Sequence, residues 1–182
     1  MTAPEFSRLV DIRQAAGQDL RLSASEAERA ALAARFALVR IVRLEAEISL
    51  ERDGDNINAT GILGANIIQS CAISGEDLPV AICEPLKLRF VPGTAATRSP
   101  QDIGEEVELA PEELDEIPFS STTFDMGEAV AQSLALAIDP FLVGPEADRV
   151  RGELGLVGEE AAGPFAALAA LKDKGRPDNQ SD

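Results

Sequence analysis

Histidine, tyrosine and tryptophan are absent from this 182-residue chain, and the aromatic share of 4% consists of seven phenylalanines. Without histidine the chain lacks the usual general base near neutral pH and the commonest metal ligand. With so few aromatic residues, its core must be aliphatic, built from Leu, Ile, Val and Ala. Cysteine is nearly absent too. Cys71 and Cys83 are the only two, and their spacing does not match the close pairs of structural zinc sites. They read as free, reduced thiols in the core of an unsecreted chain, so no metal and no cofactor is expected. There is no phosphate-binding glycine loop, no dinucleotide fingerprint and no Gly-x-Ser-x-Gly elbow. No apolar run approaches the ~18 residues of a membrane span. Met1 to Gly17 carries Glu5, Arg8, Asp11 and Arg13 in place of a signal peptide's apolar stretch. A cytoplasmic protein away from membranes is expected.

Basic residues are scarce: 16 against 32 acids, for a net charge of −16. The imbalance is local. Residues 1–100 hold 11 bases and 13 acids, whereas residues 101–128 hold ten acids and no base. Such a chain is not drawn to phosphate backbones at long range, and its acidic block suits a basic protein partner.

Hydrophobic residues reach 45%, enough for one real core. Residues 4–12 and 19–24 alternate as two short strands, expected to pair with each other. Ser25 and Glu28 form a capping box before an alanine- and arginine-rich helix ending near Phe36. Residues 38–52 then switch to period two, with Leu44, Ala46, Ile48 and Leu50 on one face and charged residues on the other. Asp53-Gly54-Asp55-Asn56 is a hairpin turn. Residues 57–73 return, with bulges or bends expected at Gly61 and Gly64, and residues 80–91 add a third long strand in which Pro85 implies an edge or a bulge. Residues 92–101 read as a loop. The acidic stretch 102–118 reads as a solvated connector, with a short edge strand at Val107–Leu109. Glu105, Glu106, Glu108, Glu112 and Glu113 are its candidate contacts for a protein partner.

The stretch TFDMGEAVAQSLALAIDPFL, residues 123–142, organises the chain. Asp125 caps a helix, Glu128 can complete a second capping box, and Met126, Val130, Leu134 and Ile138 form an apolar stripe widened by Ala129, Ala137 and Phe141. Pro140 ends it. Gly127, at the second helical position, calls for a close backbone approach. Asp125, Gly127 and Glu128 read as a structural cap; the alternative is a catalytic carboxylate pair, which the chain has no histidine, tyrosine or tryptophan to assist. Residues 143–182 read as a flexible tail carrying a short apolar helix or linear motif near 164–172. Arg29, Arg35, Arg40 and Arg43, spanning the first helix and the start of the long strand, with Arg8 and Arg13 nearby in sequence, are the only plausible contact surface for RNA phosphates, and no aromatic stacking platform accompanies them.

These motifs, in order, carry a resemblance: Glu5-Phe6-Ser7-Arg8, the Glu28-Arg29 helix, a strand ending Gln69-Ser70-Cys71, the Asp125-Met126-Gly127-Glu128 cap, Leu134-Ala135-Leu136-Ala137-Ile138-Asp139-Pro140, and Pro164-Phe165-Ala166-Ala167-Leu168. Together they resemble the bacterial YceD family, the large ribosomal RNA subunit accumulation proteins, in an alphaproteobacterial style. Many members carry Cys-x-x-Cys where this chain has Cys71 and Ser74. The resemblance implies a non-enzymatic factor in synthesis, processing or stability of large-subunit ribosomal RNA. Its contact with that RNA or its precursor would be direct, through the arginines, or indirect, through a basic ribosomal protein or a ribonuclease bound to the acidic block. The alternatives are a carboxylate-dependent enzyme using Asp125 and Glu128, and a general protein-interaction adaptor. The expected fold is α+β: one domain over residues 1–142, with a strongly curved, half-barrel-like antiparallel meander and two main helices.

Overall fold

The alternation in residues 44–50 forms as written. Leu44, Ala46, Ile48 and Leu50 are buried, while Arg43, Glu47 and Ser49 are exposed on the opposite face. A computed structural model describes residues 4–93, 116–119 and 122–155. Its elements are β1 (Leu9–Asp11), β2 (Gln18–Ser23), α1 (Glu26–Arg35), β3 (Arg40–Asp53), β4 (Asn56–Ser70), β5 (Asp77–Pro92), β6 (Glu116–Phe119), β7 (Thr123–Asp125), α2 (Met126–Ala137) and α3 (Ala147–Glu153). The fold is α+β. One sheet has the order β2-β3-β4-β5-β6, antiparallel except for the parallel β5–β6 pair, and β1 pairs with β7 in a separate two-stranded ribbon.

Three sequence-based expectations change here. The sheet is open rather than a strongly curved half-barrel, and its edge strands β2 and β6 do not meet. Closure is not needed to bury the apolar face, because residues of α1, α2 and the β1–β7 ribbon join the same core as the strands. The first strand pairs with β7 and not with β2. Gly61 and Gly64 are not bulges. The register shift lies between Ile41 and Arg43 of β3. Gly61 instead admits a close backbone: a Cβ there would lie 2.0 Å from the Glu47 carbonyl oxygen. Pro85 pairs with Ile62 of β4 and lies outside the Arg89–Pro92 stretch along which β6 pairs with β5.

Contacts divide the chain into two units, Met1–Ser70 with Asp77–Pro140, and Cys71–Glu76 with Phe141–Asp182. In the first, Met126, Ala129, Val130 and Leu134 of α2 are buried, and Gln69, the buried polar side chain of β4, donates to the Asp139 carbonyl just past the helix. Phe141, expected to widen the α2 stripe, is 79% exposed. In the second, α3 occupies sequence that reads as mobile. Arg149 ties that helix together through Glu146 and Glu153 at 2.7 and 2.6 Å. The stretch 164–172 and the strand expected at Val107–Leu109 lie outside the described residues.

Helix α1 begins with the expected capping box, Ser25 accepting from the Glu28 N–H and Glu28 from the Ser25 N–H at 2.8 Å. Its end is less ordinary. The Leu38 N–H bonds the Ala33 carbonyl and the Ala37 N–H the Ala34 carbonyl, a Schellman closure that places Ala37 at φ 55°. An alanine there carries a left-handed penalty of roughly 1 kcal/mol that glycine escapes. Ala37→Gly is therefore expected to raise the urea unfolding midpoint, by about 0.5–1 kcal/mol in stability; a midpoint that falls would show that Ala37 is not strained.

Candidate functional site

Three places in the described residues gather chemistry: the start of α2, the arginines of α1 and β3, and the loop after β4. At the start of α2, the fully buried Phe6 anchors the segment 5–8. The Asp125 carboxylate takes the Ser7 hydroxyl at 2.5 Å, the Arg8 N–H at 2.7 Å and the Glu128 N–H at 3.2 Å. The Met126 N–H returns a bond to the Arg8 carbonyl at 3.0 Å. Gly127 makes this approach possible, because a Cβ on it would lie 2.5 Å from the Phe6 carbonyl oxygen and 2.8 Å from the Arg8 nitrogen, both backbone atoms.

Two arginines complete the arrangement. Arg8 grips Glu28 of α1 with both terminal nitrogens, at 2.7 and 3.0 Å. Arg35, in the last turn of α1, grips Glu128 of α2 at 2.8 and 3.0 Å and Glu5 at 3.0 Å. The Arg8 hydrogen bonds hold the Glu28 carboxyl down at about 2, and those from Arg35 hold Glu128 below the ordinary carboxylate range. Because Arg35 takes the Glu128 side chain, the second capping box is only half made. Asp125 caps the Glu128 N–H, but no reciprocal bond from Glu128 forms. A general acid needs its pKa raised towards neutrality; here the direction is downward, and the carboxylate oxygens face donors of their own chain.

The four arginines expected to face RNA are divided in their duties. Arg35 is bound as described, and Arg43 pairs with Glu45 at 2.6 Å. Arg29 turns back onto the Ala24 carbonyl at 2.6 Å. Arg40 has no carboxylate partner among the described residues. They do not form one array of free guanidinium groups. Glu105, Glu106, Glu108, Glu112 and Glu113 lie outside the described residues.

The cysteines part company as well. Cys83 is exposed on the outer face of β5, opposite Gly64, and not in the core; even one step of the strand alternation decides this. Cys71 is buried, with its Sγ accepting from the N–H groups of Ser74 and Gly144 at 3.3 Å and of Ile73 at 3.4 Å. The Gly144 N–H and then Ser74 favour the thiolate and bring the thiol down to about 6. Sequence reasoning missed this cradle, which needs Gly144 brought to the loop from 73 residues away. Among the described residues no group of three or more Cys, Asp or Glu side chains is placed to hold a metal ion, and no helix is long and apolar enough to cross a membrane.

Comparison of the chain with protein-family models, with curated proteins and with solved structures finds no match.

The tight passage at Gly127 gives a direct test. Gly127→Ala must push two backbone segments apart and is expected to lower stability by about 2–3 kcal/mol, in the range of overpacked core substitutions. Urea unfolding checks this, and a neutral or stabilising alanine would show that the approach of residues 6–8 to α2 is looser than described.

Proposed function

We propose that this chain is a non-catalytic cytoplasmic factor that supports synthesis, processing or stability of large-subunit ribosomal RNA. It acts through a basic protein partner, a ribosomal protein or a ribonuclease, and not by holding RNA itself. The ribosomal part of this reading rests on the motif order that resembles the YceD family. The mechanistic part rests on charge. The observation that carries it is the engagement of Arg35 and Arg43 by carboxylates of their own chain. Phosphates would have to displace those partners, against a net charge of −16. Each displaced pair removes one contact from an interaction whose strength scales with the number of phosphates neutralised. A basic protein meets the opposite situation, since residues 101–116 carry eight acids and no base, in addition to Asp125 and Glu128, which donors of the chain already occupy.

The carboxylate-dependent enzyme finds no support in a Glu128 carboxyl held below its ordinary range. A general protein-interaction adaptor would use the same acidic block and differs only in leaving ribosomal RNA unaffected. Loss of the protein from its host should therefore lower large-subunit relative to small-subunit ribosomal RNA. A variant with glutamine at Glu105, Glu106, Glu108, Glu112 and Glu113 should fail to restore the ratio, while Arg43→Gln restores it. Arg35 is unsuited to this comparison because its loss would also unfasten α2. Full restoration by the five-glutamine variant, together with salt-sensitive binding of large-subunit ribosomal RNA by the purified protein, would favour direct RNA contact instead. An unchanged RNA ratio on loss of the protein would leave the adaptor.

A further inference from the structure

Arg29 and Arg40, the two arginines of the α1–β3 region without a carboxylate partner among the described residues, line the same cavity. It has a volume of about 360 Å³, and Glu26, Ala30, Ile41 and Val42 complete its wall. Two features of the chain create it. The α1 sequence places Glu26, Arg29 and Ala30 three and four residues apart, on one face of the helix. On the strand side, the register shift between Ile41 and Arg43 takes Val42 out of the pairing, leaving it 48% exposed. Bulges commonly re-aim side chains beside binding sites. Elsewhere in this region guanidinium groups are neutralised: Arg8 by Glu28, Arg35 by Glu5 and Glu128, Arg43 by Glu45. In an acidic chain, two positive groups left facing one apolar-floored cavity are the exception.

We infer that this cavity binds a short peptide segment of a partner protein in which an acidic side chain neighbours an aliphatic one. The Arg40 guanidinium suits a carboxylate, which arginine holds by paired, charge-assisted hydrogen bonds, and Arg29, with one nitrogen on the Ala24 carbonyl at 2.6 Å, adds its charge and its remaining donors. Ala30 and the half-exposed Val42 suit the aliphatic neighbour, with the buried Ile41 beneath them. Nucleic acid fits less well: the wall offers no aromatic ring for a base to stack on, and Glu26 beside the arginines opposes a run of phosphates more than a single carboxylate. This inference stands apart from the ribosomal reading and from the acidic block, and it holds or falls without them.

The test uses the full-length chain, labelled with ¹⁵N and titrated with three probes: the peptide Ac-Leu-Glu-Leu-Glu-amide, its neutral counterpart Ac-Leu-Gln-Leu-Gln-amide, and a short oligouridylate. The acidic peptide should shift the amide signals of Ala30, Ile41 and Val42, and the neutral peptide should bind at least about tenfold more weakly, as expected for losing a hydrogen-bonded charge pair. Arg40→Gln, whose side chain has no carboxylate partner among the described residues, should weaken the acidic peptide by a similar factor with the remaining spectrum unchanged. Adding Arg29→Gln should abolish binding, while Arg43→Gln should leave it intact. Equal binding of both peptides, undiminished binding by Arg40→Gln, absence of shifts at these amides, or stronger shifts there with oligouridylate would each overturn the inference.

Discussion

The carboxylate of Asp125 joins segments 117 residues apart in the chain, and the first unit depends on that junction. It caps α2, receives the Ser7 hydroxyl and the Arg8 N–H, and lies where the β1–β7 ribbon runs into the helix. A capping side chain alone contributes about 1 kcal/mol. Hydrogen bonds to a charged group contribute roughly 1.5–3 kcal/mol each before solvent exposure is discounted. The junction also sets a steric condition, because the backbone of Phe6 and Arg8 passes so close to α2 that residue 127 must lack a side chain. Seating Phe6 in the core and starting α2 are thus one event.

The same junction explains how so acidic a chain keeps its helices together. Glu28, Glu128 and Glu5 would repel one another across α1, α2 and the amino-terminal segment. Arg8 and Arg35 stand between them. These bases are set inside the first unit, where they neutralise its own acids, and they are poorly placed to serve as an outward-facing phosphate surface. At the surface, Arg13, Arg21 and Arg43 are each paired with a carboxylate of the chain, and Arg40 is exposed without one among the described residues. That division of charge is the physical basis for favouring protein partners over nucleic acid.

Local regularities were readable in the sequence, and long-range partnerships were not. The alternation of Leu44 through Leu50, the turn at residues 53–56, the Ser25–Glu28 box, the Asp125 cap and the need for a bare backbone at Gly127 all follow from nearest-neighbour rules, and all form. The pairing of β1 with β7, the capture of Glu128 by Arg35, and the approach of Gly144 to Cys71 depend on residues far apart in sequence. Composition alone ranks no such partnership above its rivals. The bulge beside Val42 was also hidden, because Arg40 to Arg43 alternates no worse than many regular strands. Counting arginines near α1 located the right region and could not tell bound guanidinium groups from free ones.

The central claim is that the carboxylates around the start of α2 are structural anions held by arginine. Carboxyl ¹³C NMR across an acid titration tests it most directly. Glu28 should titrate at about 2 and Glu128 below the usual value of ~4.3 for glutamate. Both folded-state values are depressed, so the stability they contribute is present above that usual value and is lost as pH falls through the folded pKa. Unfolding followed over the same titration should show the fold weakening from about pH 4 downward. A Glu128 carboxyl titrating near or above neutrality, with stability unaffected in acid, would contradict the account and return the pair to consideration as catalytic groups.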